Sequence, residues 1–226
     1  MDPAFAPLRG VVFDMNGTLV DDIPFHFAAW RSLASELGVL LSDEDLQSFN
    51  GLKNEDILPK LVGSDVTPER AARLIEQKEE TYRRLYRPHL ALMDGAREFL
   101  AALRAGSVRV AIASSAPPEN RAMVIDGLQL RDDIDVVVAA EHLPGKPAPD
   151  VFLDAARQLG IAPFECLAFE DAVSGVMAAV RAGMLVGAVT TNNPAATLLA
   201  AGAAFAVHDF TCMPPEVSAR LPQAPR

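Results

Sequence analysis

The stretch Gly10-Val11-Val12-Phe13-Asp14-Met15-Asn16-Gly17-Thr18 decides how the chain is read. Val11, Val12 and Phe13 form a short, β-branched apolar run between Gly10 and the polar Asp14-Met15-Asn16-Gly17. That pattern predicts a buried strand ending in a turn, which puts Asp14 at the strand's carboxyl end.

Beyond it, from about residue 22 to about 87, strand signals vanish. Phe27, Trp30, Leu33 and Leu37 recur at helical spacing, and Gly38 follows as a stop. Thr67-Pro68-Glu69 supplies a helix start: an N-cap hydroxyl, proline at the first helical position and an early acid. This helix should run to about Tyr86. Alternation then returns, with a helix from about 94 to 104 and an apolar strand over 108–113 that ends at Ser114. Further strands are expected at 136–139, 166–169 and 185–189, with a short one near 205–207; helical patterns at 150–159 and 172–182 lie between them. Strands and helices taking turns in this way predict an α/β fold with a parallel sheet. Such sheets bind ligands outside the carboxyl ends of their strands, where Asp14, Ser114 and Glu170-Asp171 fall.

Composition bounds the function. Half of the 226 residues are hydrophobic and 22% are charged, the balance of a globular protein. A net charge of −10, with no Lys/Arg run, excludes a nucleic-acid or anionic-membrane partner, because both require a concentrated basic face. Cys166 and Cys212 read as free thiols of a reducing compartment. The opening MDPAFAPLRG lacks a basic region followed by a long apolar stretch, and no later run reaches membrane-spanning length, so a cytoplasmic monomer or weak homodimer is expected. The tail from Pro214 to Arg226, rich in proline and alanine, reads as peripheral.

Four positions carry candidate chemistry. Asp14 followed by Gly17-Thr18 sets a nucleophile beside backbone amides that can approach a phosphate closely, although Asp-x-x-Gly turns are common. Ser114 is either a hydroxyl donor to a phosphoryl oxygen or a cap for the segment after Pro117-Pro118. Lys146, in Gly145-Lys146-Pro147-Ala148-Pro149, is either solvated or aimed by a stiff loop at a fixed anion. Glu170-Asp171 gather two like charges after a buried strand, which is costly unless a cation neutralises them; with Asp14 they offer the oxygen ligands magnesium prefers.

Taken in order, Phe13-Asp14-Met15-Asn16-Gly17-Thr18-Leu19, Ser114, Gly145-Lys146-Pro147 and Glu170-Asp171 resemble the four motifs of the haloacid dehalogenase superfamily. His26, Trp30, Gly51-Leu52 and Lys78 are similar to its β-phosphoglucomutase branch. The resemblance implies a Rossmann-like core, residues 1–20 and 93–226, with an inserted α-helical cap over 21–92. It implies Asp14 as the nucleophile toward phosphorus, with Ser114 and Lys146 holding the transferring oxygens. It also implies Mg²⁺ on Asp14, the backbone carbonyl of Asn16, Asp171 and, directly or through water, Glu170. Gly17, Thr18, Ser115, His26 and Lys78 would contact the substrate, a small phosphorylated metabolite.

The chain departs from that pattern twice. Asn16 stands where the family's phosphatases and mutases carry a second aspartate that shuttles a proton. Such acid/base catalysis is worth about 10²–10⁴-fold, roughly 3–5 kcal/mol. Asn54 stands where β-phosphoglucomutases place an arginine on the substrate's distal phosphate, and an amide cannot replace that charged clamp. Together they favour a phosphatase acting on a monophosphate over a sugar phosphomutase. For Asn16 three explanations stand: a natural variant acting on activated phosphates that need little protonation, a natural variant borrowing a base such as His26, or an engineered or decayed inactive form; a protein that keeps the metal and phosphate pocket without turnover is the competing non-enzymatic reading.

Overall fold

The computed structural model describes residues 7–140 and 142–221. The first six residues of the N-terminal stretch read above, and residues 222–226 of the tail, lie outside that range. The elements are β1 (Gly10–Phe13), α1 (Ile23–Glu36), α2 (Asp43–Gln47), α3 (Asn54–Val62), α4 (Pro68–Tyr86), α5 (Ala96–Ala105), β2 (Arg109–Ser114), α6 (Pro118–Gly127), β3 (Val136–Ala139), α7 (Asp150–Leu159), β4 (Cys166–Glu170), α8 (Val173–Arg181), β5 (Leu185–Val189), α9 (Ala195–Ala200), β6 (Phe205–Val207) and α10 (Pro215–Ser218). They form two compact units. One holds the described residues up to Asp21 and from Ala91 onward; the other is Asp22–Leu90.

In the first unit six parallel strands are ordered β3-β2-β1-β4-β5-β6. The chain builds outward from β1 through β2 to β3, then crosses back to place β4 on the other side of β1, which creates a topological switch point at the carboxyl ends of β1 and β4. Phe13 is level with Ile112 of β2 and Phe169 of β4, and the Asp14 N–H donates to the Phe169 carbonyl at 2.9 Å. Asp14 and Glu170 are therefore neighbours one step beyond the paired residues. Alternation along the strands sends Val12, Ala111 and Ala168 into one core, against Phe152 of α7 and Val176 of α8. Phe13 and Phe169 stack on the other face, ring centroids 5.4 Å apart, with Phe99 and Phe210 edge-on around them.

In the second unit α1–α4 pack around Trp30, Leu33, Phe49, Ile57, Leu58 and Leu61. The Thr67 hydroxyl accepts from the Arg70 N–H at 3.3 Å, so α4 begins where the capping pattern placed it and ends at Tyr86. Gly38 follows α1 at φ +75°, a conformation other residues adopt at a cost.

Two expectations are corrected. The tail is not peripheral as far as residue 221: α10 forms, Val217 is buried, and the Arg220 carbonyl accepts from the Leu8 N–H at 2.9 Å. Nor does Ser114 cap α6, whose N-cap position is Pro117 with no side-chain cap. Cys166 is buried and Cys212 exposed, both as free thiols. Among the described residues no helix is long and apolar enough to cross a membrane.

Candidate active site

Asp14, Glu170 and Asp171 are all buried at the switch point. Between the first two lies Lys146, whose ammonium donates to Asp14 Oδ1 at 2.5 Å and to Glu170 Oε1 at 2.6 Å. Burial alone would lower the lysine's pKa, but the two carboxylates outweigh it and hold the ammonium above its usual value. The stiff loop thus aims Lys146 inward, as one of its two sequence readings required.

Glu170 is fixed at both oxygens. Oε2 accepts the N–H groups of Asp171 and Ala172, each at 2.8 Å, while Oε1 takes the lysine. Room for it exists because residue 175 is glycine: a Cβ there would lie 1.7 Å from Oε1.

Asp171 is held by Thr18 and by two residues that sequence reasoning missed, Asn192 and Asn193. The Thr18 hydroxyl donates to Oδ1 at 3.2 Å, the Asn192 amide to Oδ2 at 2.9 Å, and the Asn193 amide to the Asp171 carbonyl at 2.9 Å. Burial, then the Glu170 and Asp14 charges, push the Asp171 pKa well above the carboxylate range. The signal for Thr191-Asn192-Asn193 was available: a polar run directly after a buried strand, at the same sheet edge as the other motifs. The Asp14 turn closes on the Met15 carbonyl, which accepts from Leu19 and Val20, and half-buried Asn16 bridges to Val20. Gly17 adopts φ +75°, and a Cβ on it would meet Asp171 Oδ2 at 2.4 Å.

Ser114 is buried at the end of β2, and its hydroxyl oxygen accepts the Ala116 N–H at 3.1 Å, leaving the hydroxyl proton to donate. Ser115 next to it is exposed. Thr18, expected to contact substrate, donates its hydroxyl proton to Asp171.

His26 and Lys78 lie in the helical unit, in a second polar cluster. Lys78 Nζ donates to Glu79 Oε1 and to His26 Nδ1, both at 2.8 Å; the Asn54 amide reaches the same Glu79 oxygen at 2.8 Å. The His26 ring stacks on Tyr82 at 3.7 Å, and the Tyr82 hydroxyl donates to Asp22 at 2.5 Å. Burial, then the Lys78 charge, lower the His26 pKa to about 3. A nitrogen that already accepts from an ammonium, on so weak a base, has little proton affinity to lend near neutrality.

Three buried carboxylates share one ammonium, a charge deficit that suits a divalent cation. Among the described residues no three His, Cys, Asp or Glu side chains converge as a ready cluster, because Glu170 faces the lysine and the backbone. Asp14 and Asp171 remain as oxygen donors, a set that fits magnesium, which takes one or two carboxylates and completes its shell with other oxygens.

Known proteins are similar to this chain over most of its length. The family model described as haloacid dehalogenase-like hydrolase matches residues 8–183. A β-phosphoglucomutase of Bacillus subtilis is 28% identical over 195 residues, 83% of this chain and 85% of that protein. A fructose-1-phosphate phosphatase of Escherichia coli is 32% identical over 182 residues, 77% of this chain and 93% of that one. The crystal structure of a HAD hydrolase, family IA, variant 3, from Entamoeba histolytica superposes with a TM-score of 0.86 at 29% identity, covering 94% of this chain and 99% of that one. With the family model spanning all four motifs and the whole of α8 behind the last, the chain belongs to the haloacid dehalogenase-like hydrolases.

Proposed function

We propose that the protein is a magnesium-dependent phosphatase for a small phosphorylated metabolite of the sugar monophosphate class, working through a phosphoryl group carried on Asp14. The observation that carries this reading is the pairing of a buried strand-end aspartate with an inward-aimed lysine, beside a second buried aspartate with oxygens to offer. The metal would be held by Asp14, Asp171 and the Asn16 carbonyl, with Glu170 orienting Lys146 instead of ligating directly. Bound there, it supplies charge neutralisation for the phosphoryl group.

Asp14 attacks phosphorus and the bond to the leaving oxygen breaks, while Lys146 and the Ser114 hydroxyl stabilise the transferring oxygens. The leaving oxygen then needs a proton, and the attacking water must later lose one. Asn16 can do neither, and the pKa of His26 argues against it as the substitute base. Turnover on poor leaving groups is accordingly slow.

Substrate class follows from two supports. Relatives of this length are named fructose-1-phosphate phosphatase and hexitol phosphatase. Within the helical unit, to which we assign substrate selection as a cap, Asn54 is engaged by Glu79, which disfavours a grip on a second phosphate and with it a mutase role.

The test is phosphate release with magnesium, comparing the protein with Asn16→Asp on p-nitrophenyl phosphate, acetyl phosphate and sugar monophosphates. A gain of about 10² or more on the poor leaving groups is expected. Fast turnover by the unmodified protein with no gain in the variant would refute the missing-shuttle reading. Magnesium-dependent phosphate binding without release, in both proteins, would replace an enzyme with a binding protein.

A further inference from the structure

A carboxylate that ligates magnesium must be held in one orientation, because that ion demands near-ideal octahedral geometry at about 2.0–2.1 Å while calcium accepts looser shells at about 2.3–2.6 Å. Asp171 is held from both sides. Its Oδ1 takes the Thr18 hydroxyl and its Oδ2 the Asn192 amide. Asn192 is itself tied in, since its amide also donates to the Thr191 hydroxyl oxygen at 3.1 Å and that hydroxyl donates to the Gly17 carbonyl at 2.5 Å. The loop is anchored to the sheet by the Thr190 N–H, which donates to the Val207 carbonyl at 2.9 Å. A closed chain of contacts thus runs from Asp171 through Asn192 and Thr191 to the Asp14 turn. Glycine at 17 lets it close: a Cβ would also meet Asn192 Nδ2 at 2.7 Å.

We infer that Asn192 is a positioning residue for the cation site, fixing the Asp171 carboxylate so that magnesium is favoured over calcium. This rests on the magnesium reading given above. Asn192 touches no reacting atom; it acts by preventing rotation of Asp171. Without its amide the carboxylate keeps, among the described residues, the longer Thr18 hydrogen bond, and a ligand free to turn loses more for the geometrically demanding ion than for the tolerant one. Asn193 provides a built-in comparison, since it belongs to the same loop but its amide donates to the Asp171 main-chain carbonyl and not to the carboxylate.

The experiment is calorimetric titration of Mg²⁺ and of Ca²⁺ into the chelator-treated full chain, as unmodified protein, Asn192→Ala and Asn193→Ala. Loss of an outer partner of a metal ligand typically costs about 10–100-fold in affinity. Asn192→Ala should lose magnesium affinity on that scale and calcium affinity by clearly less. Asn193→Ala should shift both ions together and by a smaller factor. Wild-type magnesium affinity in Asn192→Ala, an equal loss of both ions, or the same narrowing in Asn193→Ala would each overturn the inference. Failure of the unmodified chain to bind magnesium would overturn the metal reading and this inference with it.

Discussion

Replacing Gly175 with alanine should destabilise the protein, although helix propensity says the opposite. Gly175 lies in α8 outside the left-handed region, so alanine would normally gain about 1 kcal/mol there. Its Cβ, however, would stand 1.7 Å from Glu170 Oε1 and 1.9 Å from Cδ, so the carboxylate must leave. Leaving breaks two backbone N–H bonds and the Lys146 contact. Stranding one member of a buried ion pair costs about 3–5 kcal/mol, with the lost hydrogen bonds to the carboxylate included in that figure. Net of the helix gain, the loss should be about 2–4 kcal/mol. For a chain of this size that is roughly 4–16 °C in Tm. Thermal and urea unfolding with and without the substitution would measure it, alongside phosphate release, which should fall as Lys146 loses its brace. A variant as stable as the parent, or more so, would refute the geometry assigned to Glu170.

Lys146→Met should lower turnover by about 10²–10³-fold and destabilise the fold by about 3–5 kcal/mol, because Asp14 and Glu170 lose their shared counter-ion; unchanged unfolding curves would contradict the pairing. His26, faced by Lys78, Glu79, Asp22 and Tyr82, is lowered from 6.5 to about 3. Between those values the unfolded chain binds a proton that the folded chain refuses, so stability is lost as pH falls from about 6.5 toward 3, by up to about 1.4 kcal/mol per unit. Urea unfolding of the protein and of His26→Gln at pH 7 and pH 5 should show the parent losing the additional stability on acidification; parallel losses would mean that His26 titrates normally.

Much of the fold was legible because its signals are local. Val11-Val12-Phe13 announces a strand by composition, Thr67-Pro68-Glu69 starts a helix by its capping chemistry, and Gly38 stops one through its backbone freedom. The order of acids, hydroxyl and lysine at successive strand ends pointed to one site. What escaped depends on tertiary distance. Asn192 and Asn193 look like turn formers until β5 sets them against Asp171, and Gly175 looks like a weak point in a helix until Glu170 fills its space. The tail misled because composition reports proline and alanine but not the burial of Val217. His26 is a similar case: the sequence offers only the ordinary pKa of an imidazole, whereas burial and then the neighbouring Lys78 charge lower it.

The most direct test of the central claim is to look for the phosphoryl group on Asp14. With Asn16 unable to activate water, a phosphoenzyme formed from a donor with a good leaving group should outlast its formation. Acid-quenched mass spectrometry after mixing with acetyl phosphate and magnesium should find phosphate on the peptide containing Asp14, diminished in Asn16→Asp as hydrolysis accelerates and absent from Asp14→Asn. No phosphate on that peptide in the unmodified protein, with turnover nonetheless under way, would contradict the assignment of Asp14 as nucleophile.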